Sequence, residues 1–182
     1  ARVRAMQGRP AEAIRDFETL LRERKYSSEA SARYGLAVAY VRKGDWTAAE
    51  RELQAVRKLK PSLAMVDRLL AEVKIARGEK EAGMQLYREA MVRYPHNLAL
   101  LYGYGNALVA ERKFAEALRF VDEQLQNYPR DTRFYRMRAE SYAGLGRRSQ
   151  QHLALAEMSL LKGQTAGAIE QLQLAQQAGD AN

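Results

Sequence analysis

The sequence predicts an all-α solenoid, a right-handed superhelix of antiparallel helix pairs, and three observations carry that prediction. Pro61, Pro95 and Pro129 stand 34 residues apart and then 34 again. Before each proline the same ladder of apolar and small residues recurs at fixed offsets, the signature of a repeated supersecondary unit. Between turn signals, apolar residues recur three and four apart, as at Ile14, Phe17, Leu20 and Leu21, which is the period of an amphipathic helix. The 182 residues suffice for one domain with a continuous core, and 47% hydrophobic with 29% charged residues exclude wholesale disorder. Charges interrupt every apolar run before it reaches the ~18 residues of a membrane span. With no cysteine, disulfides, thiolate zinc sites and a cysteine nucleophile are excluded.

Taken in order, a partial repeat spans 1–27, with a stub of its first helix at 1–7 and a second helix carrying Ala13 and Phe17. The repeat at 30–63 presents Leu36-Ala37, Tyr40, Gly44, Ala49, Leu53, Val56 and Pro61. A shift of 34 gives the repeat at 64–97, with Leu70-Ala71, Lys74, Gly78, Gly83, Tyr87, Ala90 and Pro95. A further shift gives the repeat at 98–131, with Tyr104-Gly105, Leu108, Arg112, Ala117, Val121, Gln124 and Pro129. The stretch 132–182 opens in register with Arg138-Ala139, Tyr142 and Gly146, then shifts by half a period. Helices are expected at 149–162 and 165–178, the first shared between two units.

Each unit reads as two helices of about 12–15 residues. Lys-Gly-Asp at 43–45, Arg-Gly-Glu at 77–79 and Leu-Gly-Arg at 145–147 are the turns within the pairs, since glycine takes a left-handed conformation without a Cβ clash. Proline is expected at helix starts, where its missing N–H is no loss. Ala37, Ala71, Gly105 and Ala139 are small at one repeat position, and Ala13, Ala49, Gly83 and Ala117 at a second. Small side chains at two facing points let paired helices approach closely. A lone pair cannot bury its apolar face, so stacking completes the core. Both ends are expected to be truncated, with Ile169, Leu172 and Leu174 left uncapped on the last helix.

Signatures of catalysis are scarce. His96 and His152, the two histidines, lie in different repeats and outside any His-Glu-x-x-His helix; solvent exposure or packing accounts for both. Gly103-Tyr104-Gly105 lies mid-helix, with no strand before it and Leu108 where a phosphate loop needs glycine. Neither a Gly-Lys-Ser/Thr loop nor a serine elbow is present. The chain is therefore expected to be non-catalytic and to hold no cofactor.

The large-x-x-L-G/A-x-x-Y…A-x-x-x-F…P pattern resembles the tetratricopeptide repeat. The first large position departs from it, holding Arg33, Asp67, Leu101 and Tyr135 in place of Trp. The resemblance implies a concave face, built by the first helix of each unit, that holds a protein or peptide. The fifth position across four units gives Tyr34, Arg68, Tyr102 and Arg136, and the ninth gives Val38, Glu72, Asn106 and Glu140. Arg133 shares a helix face with Arg136 and Glu140. The expected partner-binding set is Tyr34, Arg68, Tyr102, Asn106, Arg133, Arg136 and Glu140, which could stack on a peptide and fork a carboxylate. The family's Asn-rich carboxylate clamp is not matched, because Val38 and Glu72 stand where its Asn would be.

The run YRMRAESYAGLGRRSQQHLALAEMSLLKGQTAGAIEQLQLAQQAGD is similar to the end of bacterial periplasmic zinc metallopeptidases of the BepA type. That resemblance implies a periplasmic repeat domain working beside a protease whose zinc helix lies upstream, so zinc is expected only there. Its implied partners are the protease domain itself, outer-membrane assembly machinery or unfolded substrates. A stand-alone adaptor of an assembly or secretion complex is the alternative, and self-association through the last helix is a further expectation. A nucleic-acid module ranks third: the charge of +8 is broken into clusters such as Arg130, Arg133, Arg136, Arg138, Arg147 and Arg148, expected to pair in part with Asp131 and Glu140.

Overall fold

The computed structural model describes residues 9–179, and the described residues form ten helices and no strand. They are α1 (Pro10–Arg22), α2 (Glu29–Lys43), α3 (Trp46–Leu59), α4 (Ala64–Ala76), α5 (Lys80–Arg93), α6 (Leu98–Ala110), α7 (Phe114–Asn127), α8 (Thr132–Gly144), α9 (Arg148–Leu161) and α10 (Thr165–Ala178). The fold is an all-α solenoid of helix pairs. The expected helix stub at 1–7 lies outside the described residues. Two compact units divide the chain, Ala1–Leu101 and Tyr102–Asn182, and the boundary falls inside α6.

In the first unit, α1 to α5 pack on one another in chain order. Leu53, Val56, Leu70, Val73, Met84 and Tyr87 are fully buried between them. Burial of side chains this size stabilises by about 1.5–3 kcal/mol each. The small residues mark the closest approach: Ala13, Ala37, Ala49 and Ala71 have no exposed surface. A Cβ at Gly83 of α5 would stand 2.7 Å from the carbonyl oxygen of Ala71 on α4, a distance only hydrogen there permits. In the second unit Phe134, Met137, Val121, Ala154 and Ala168 are among the buried residues, and α9 packs against both α8 and α10.

The turns within the pairs repeat one backbone device. Gly44, Gly78 and Gly146 take φ of 80°, 86° and 74°, and Arg112, at the same repeat position, takes 58°. The missing glycine at 112 is thus a change of residue without a change of conformation. Three prolines act differently from the expectation. Pro61, Pro95 and Pro129 sit three residues before the next helix rather than inside its first turn, and only Pro10 opens a helix. The physical reason is steric: the proline ring pushes the preceding residue out of the helical region. Lys60, Tyr94 and Tyr128 accordingly end α3, α5 and α7 at φ of −143°, −134° and −129°. His96 lies in the turn before α6 instead of beginning a helix, and α9 starts one residue earlier than expected.

Charged residues take the repeat's first large position in two units. Asp67 is 1% exposed; its Oδ2 lies 3.0 Å from Arg93 Nη2 and its Oδ1 3.6 Å from Arg57 Nε. Arg33 binds Glu29 at 2.7 Å and the buried Glu52 at 2.9 Å, and these partners hold its guanidinium above its ordinary pKa, Glu29 most strongly.

Two outcomes follow for stability. Arg112→Gly removes a left-handed Cβ penalty and should stabilise by about 0.5–1 kcal/mol, read as a higher urea midpoint. Asp67→Ala strands two guanidinium groups that reach partly into solvent; a loss of about 2–4 kcal/mol is expected in the same measurement.

Candidate functional site

The predicted binding residues fall in both units, and each unit arranges its share differently. In the first, α2 presents Ser31, Tyr34, Val38 and Arg42 on one face, at helical spacings of three and four. They line a cavity of about 620 Å3 together with Phe17 of α1, Val56 and Lys60 at the end of α3, Leu63, and Met65 and Val66 of α4. Met65 is 49% exposed at its mouth, and the Phe17 ring lies against Gly35 at its side. The volume is that of a ligand pocket, and its walls are mainly apolar.

Burial raises the Tyr34 phenol above its usual pKa, with the Arg68 guanidinium acting against the shift. Structure thus brings Tyr34 and Arg68 into one electrostatic neighbourhood. Arg68 is already engaged by Glu72 one helical turn on, which weakens it as a fork for an incoming carboxylate. Val38 lines the cavity as an apolar wall.

In the second unit Tyr102 and Arg133 come together. The Arg133 guanidinium carbon lies 4.5 Å above the Tyr102 ring, a cation–π contact. The Phe134 ring centroid is 5.2 Å away, and the Tyr102 hydroxyl donates to Asp131. Asp131 also caps α8, accepting from the Arg133 amide at 2.9 Å. Burial first, and this carboxylate second, raise the Tyr102 pKa to about 12. Tyr102 is therefore a held residue rather than an open stacking platform. Asn106, Arg136 and Glu140 are exposed. The expected pairing of the arginine cluster with Asp131 and Glu140 is corrected: Arg138 reaches Asp122 at 3.0 Å and Glu157 at 3.5 Å, and Asp131 is used by the cap and by Tyr102. Local sequence spacing could not show partners on neighbouring helices.

Sequence reasoning missed Phe17, Arg42, Lys60 and Met65 as neighbours of Tyr34. One signal was present, since Met65 is Ser31 advanced by one 34-residue period. The others come from different repeat positions and meet only in the fold. Among the described residues no group of three or more histidine, aspartate or glutamate side chains could hold a metal ion, so no zinc step is placed on them. His152 instead faces Gln171, with its Nδ1 2.9 Å from the amide oxygen. No helix among the described residues is long and apolar enough to cross a membrane.

Stacked helix pairs with a side-chain-lined hollow on their first helices define a helical repeat protein of the kind that usually serves protein interaction. Tetratricopeptide repeat models match residues 1–64 and 74–140, and the chain belongs to that family. It is 26% identical over 141 residues to the beta-barrel assembly-enhancing protease of Yersinia pestis, covering 78% of this chain and 29% of that relative. The chain thus spans about three tenths of the curated relative it matches. Among solved structures, the C-terminal part of a TPR repeat-containing protein from Cytophaga hutchinsonii superimposes with a TM-score of 0.76 at 16% identity, over 98% of this chain and 69% of that one. MamA superimposes at 0.64 with 20% identity, over 90% and 92%. YrrB, described as a TPR protein with an unusual peptide-binding site, superimposes at 0.63 with 16% identity, over 94% and 88%. These likenesses show the fold.

The geometry around Tyr102 has a spectroscopic consequence. Because its pKa is raised, the stability tied to its protonated form is complete below pH 10 and is lost as pH rises toward about 12. Asp131→Asn should lower its ionisation midpoint but leave it above 10, since burial is the larger cause. Ultraviolet titration against Tyr102→Phe checks both statements.

Proposed function

We propose that this chain is the partner-holding repeat segment of a bacterial periplasmic protein that works with a zinc-dependent protease, and that it holds an extended stretch of a client protein on the face formed by α2 and α4. The observation that carries the reading is the 620 Å3 apolar cavity around Tyr34, Val38 and Met65. A hollow of that size and lining takes side chains from an unfolded or extended segment, whereas a folded partner offers few protruding apolar groups. Support for the protease association comes from the Yersinia relative, whose name couples β-barrel assembly with proteolysis. Strands of transmembrane barrels alternate apolar and polar residues, so before assembly they offer the segment such a hollow fits.

Part of the positive charge is held in ion pairs, with Arg33, Arg57, Arg68, Arg77, Arg93 and Arg138 each bound to a carboxylate. That distribution favours a protein client over a phosphate backbone, which needs a continuous basic track.

The test uses a urea-unfolded outer-membrane β-barrel protein, labelled and diluted into buffer with this chain. Binding by fluorescence anisotropy should be saturable. Combining Tyr34→Ala with Met65→Glu should weaken it at least tenfold while far-ultraviolet circular dichroism stays unchanged. Equal affinity in that variant, or no binding by the parent chain, overturns the reading.

A further inference from the structure

The same cavity carries a statement about which segments it accepts. Its lining contains two cations, Arg42 and Lys60, and no aspartate or glutamate. Lys60 ends α3 in an extended conformation, is exposed, and makes no ion pair among the described residues. Five cations elsewhere in this unit, Arg33, Arg68, Lys74, Arg77 and Arg93, each face a carboxylate, as Lys60 does not. The hollow therefore combines apolar walls with an excess of positive charge.

Resting on the reading above, we propose that this cavity selects an extended acidic peptide segment: two bulky apolar side chains on alternate residues enter it, and a flanking carboxylate meets Lys60. In an extended chain, residues two apart point the same way and stand about 7 Å apart, so one hollow can take both. The charge at the rim rejects segments with a basic flank, because like charges brought together on binding are disfavoured. Two other occupants fit the charge poorly. Residues 1–8 of this chain carry two arginines, Arg2 and Arg4, and no aspartate or glutamate. A second copy would bring a further net charge of +8.

The test is a two-by-two set of fluorescein-labelled decapeptides, their centre Phe-Ser-Phe or Ser-Ser-Ser and the next residue Glu or Lys. The Phe-Ser-Phe-Glu peptide should bind the full chain at least tenfold more tightly than any other. Lys60→Glu should weaken that peptide at least fivefold and tighten its Lys counterpart. A preference that survives Lys60→Glu unchanged, or four equal affinities, overturns the proposal. Binding that appears only after deletion of residues 1–8 overturns it in favour of an internal occupant, and a dimer that Met65→Glu dissociates overturns it in favour of a second copy. Should the unfolded barrel protein still bind in a Met65-dependent way while the peptides do not discriminate, the client-holding reading stands and the acidic selectivity falls. Should both fail, the reading of the face falls with it.

Discussion

Everything in this molecule depends on how closely two helices can approach. A helix pair of this kind has more apolar surface than it can cover by itself, so it is stable only when a neighbour lies against it. Side chains of alanine or glycine size at two repeat positions set that distance. Ala37, Ala49 and Ala71 have no exposed surface, and the backbone of α4 leaves no room for a Cβ at Gly83. With the backbones this close, the larger residues beside the small ones, such as Leu53 and Tyr87, are sealed from water. The first helix of each pair keeps one face outside this contact, and that leftover face is where the side chains are free to differ.

That division of labour explains why the two units treat equivalent positions so differently. Tyr34 helps to wall a hollow, whereas Tyr102 is clasped by Asp131, Arg133 and Phe134. The packing face tolerates little variation, since each methylene added or removed is felt in a close-packed interior. The outward face of the same helix carries no such restriction. Chemistry in a repeat fold therefore accumulates there without disturbing the stacking that holds the chain together.

Much of the architecture was legible in the sequence because it obeys a local, periodic rule. The 34-residue spacing of three prolines pointed to paired helices, and the small positions lay in the core as the pattern demanded. The role of the prolines was misjudged, for the ring acts on the residue before it and ends one helix rather than beginning the next. Arg112 stands at the offset where two neighbouring repeats have glycine, yet its backbone is left-handed like that of Gly44 and Gly78. The site was legible only by half. Helical spacing put Tyr34 and Val38 on one face, but Phe17, Lys60 and Met65 join them through contacts that no spacing within one helix encodes. Arg138 shows the same limit, since its partners Asp122 and Glu157 lie on other helices.

Asp67 gives the array an address. A chain of look-alike hairpins risks pairing out of step, because an apolar face accepts any similar face. Arg93 belongs to the same hairpin as Asp67, but Arg57 comes from the one before it and is met only in the native order. One period further along, the place of Arg57 is taken by Met91, and one period back by Glu23. A slipped arrangement would leave the buried carboxylate with one arginine in place of two, which disfavours the wrong order. Interchangeable building blocks are thereby made to count at this joint, where one hairpin recognises its own successor.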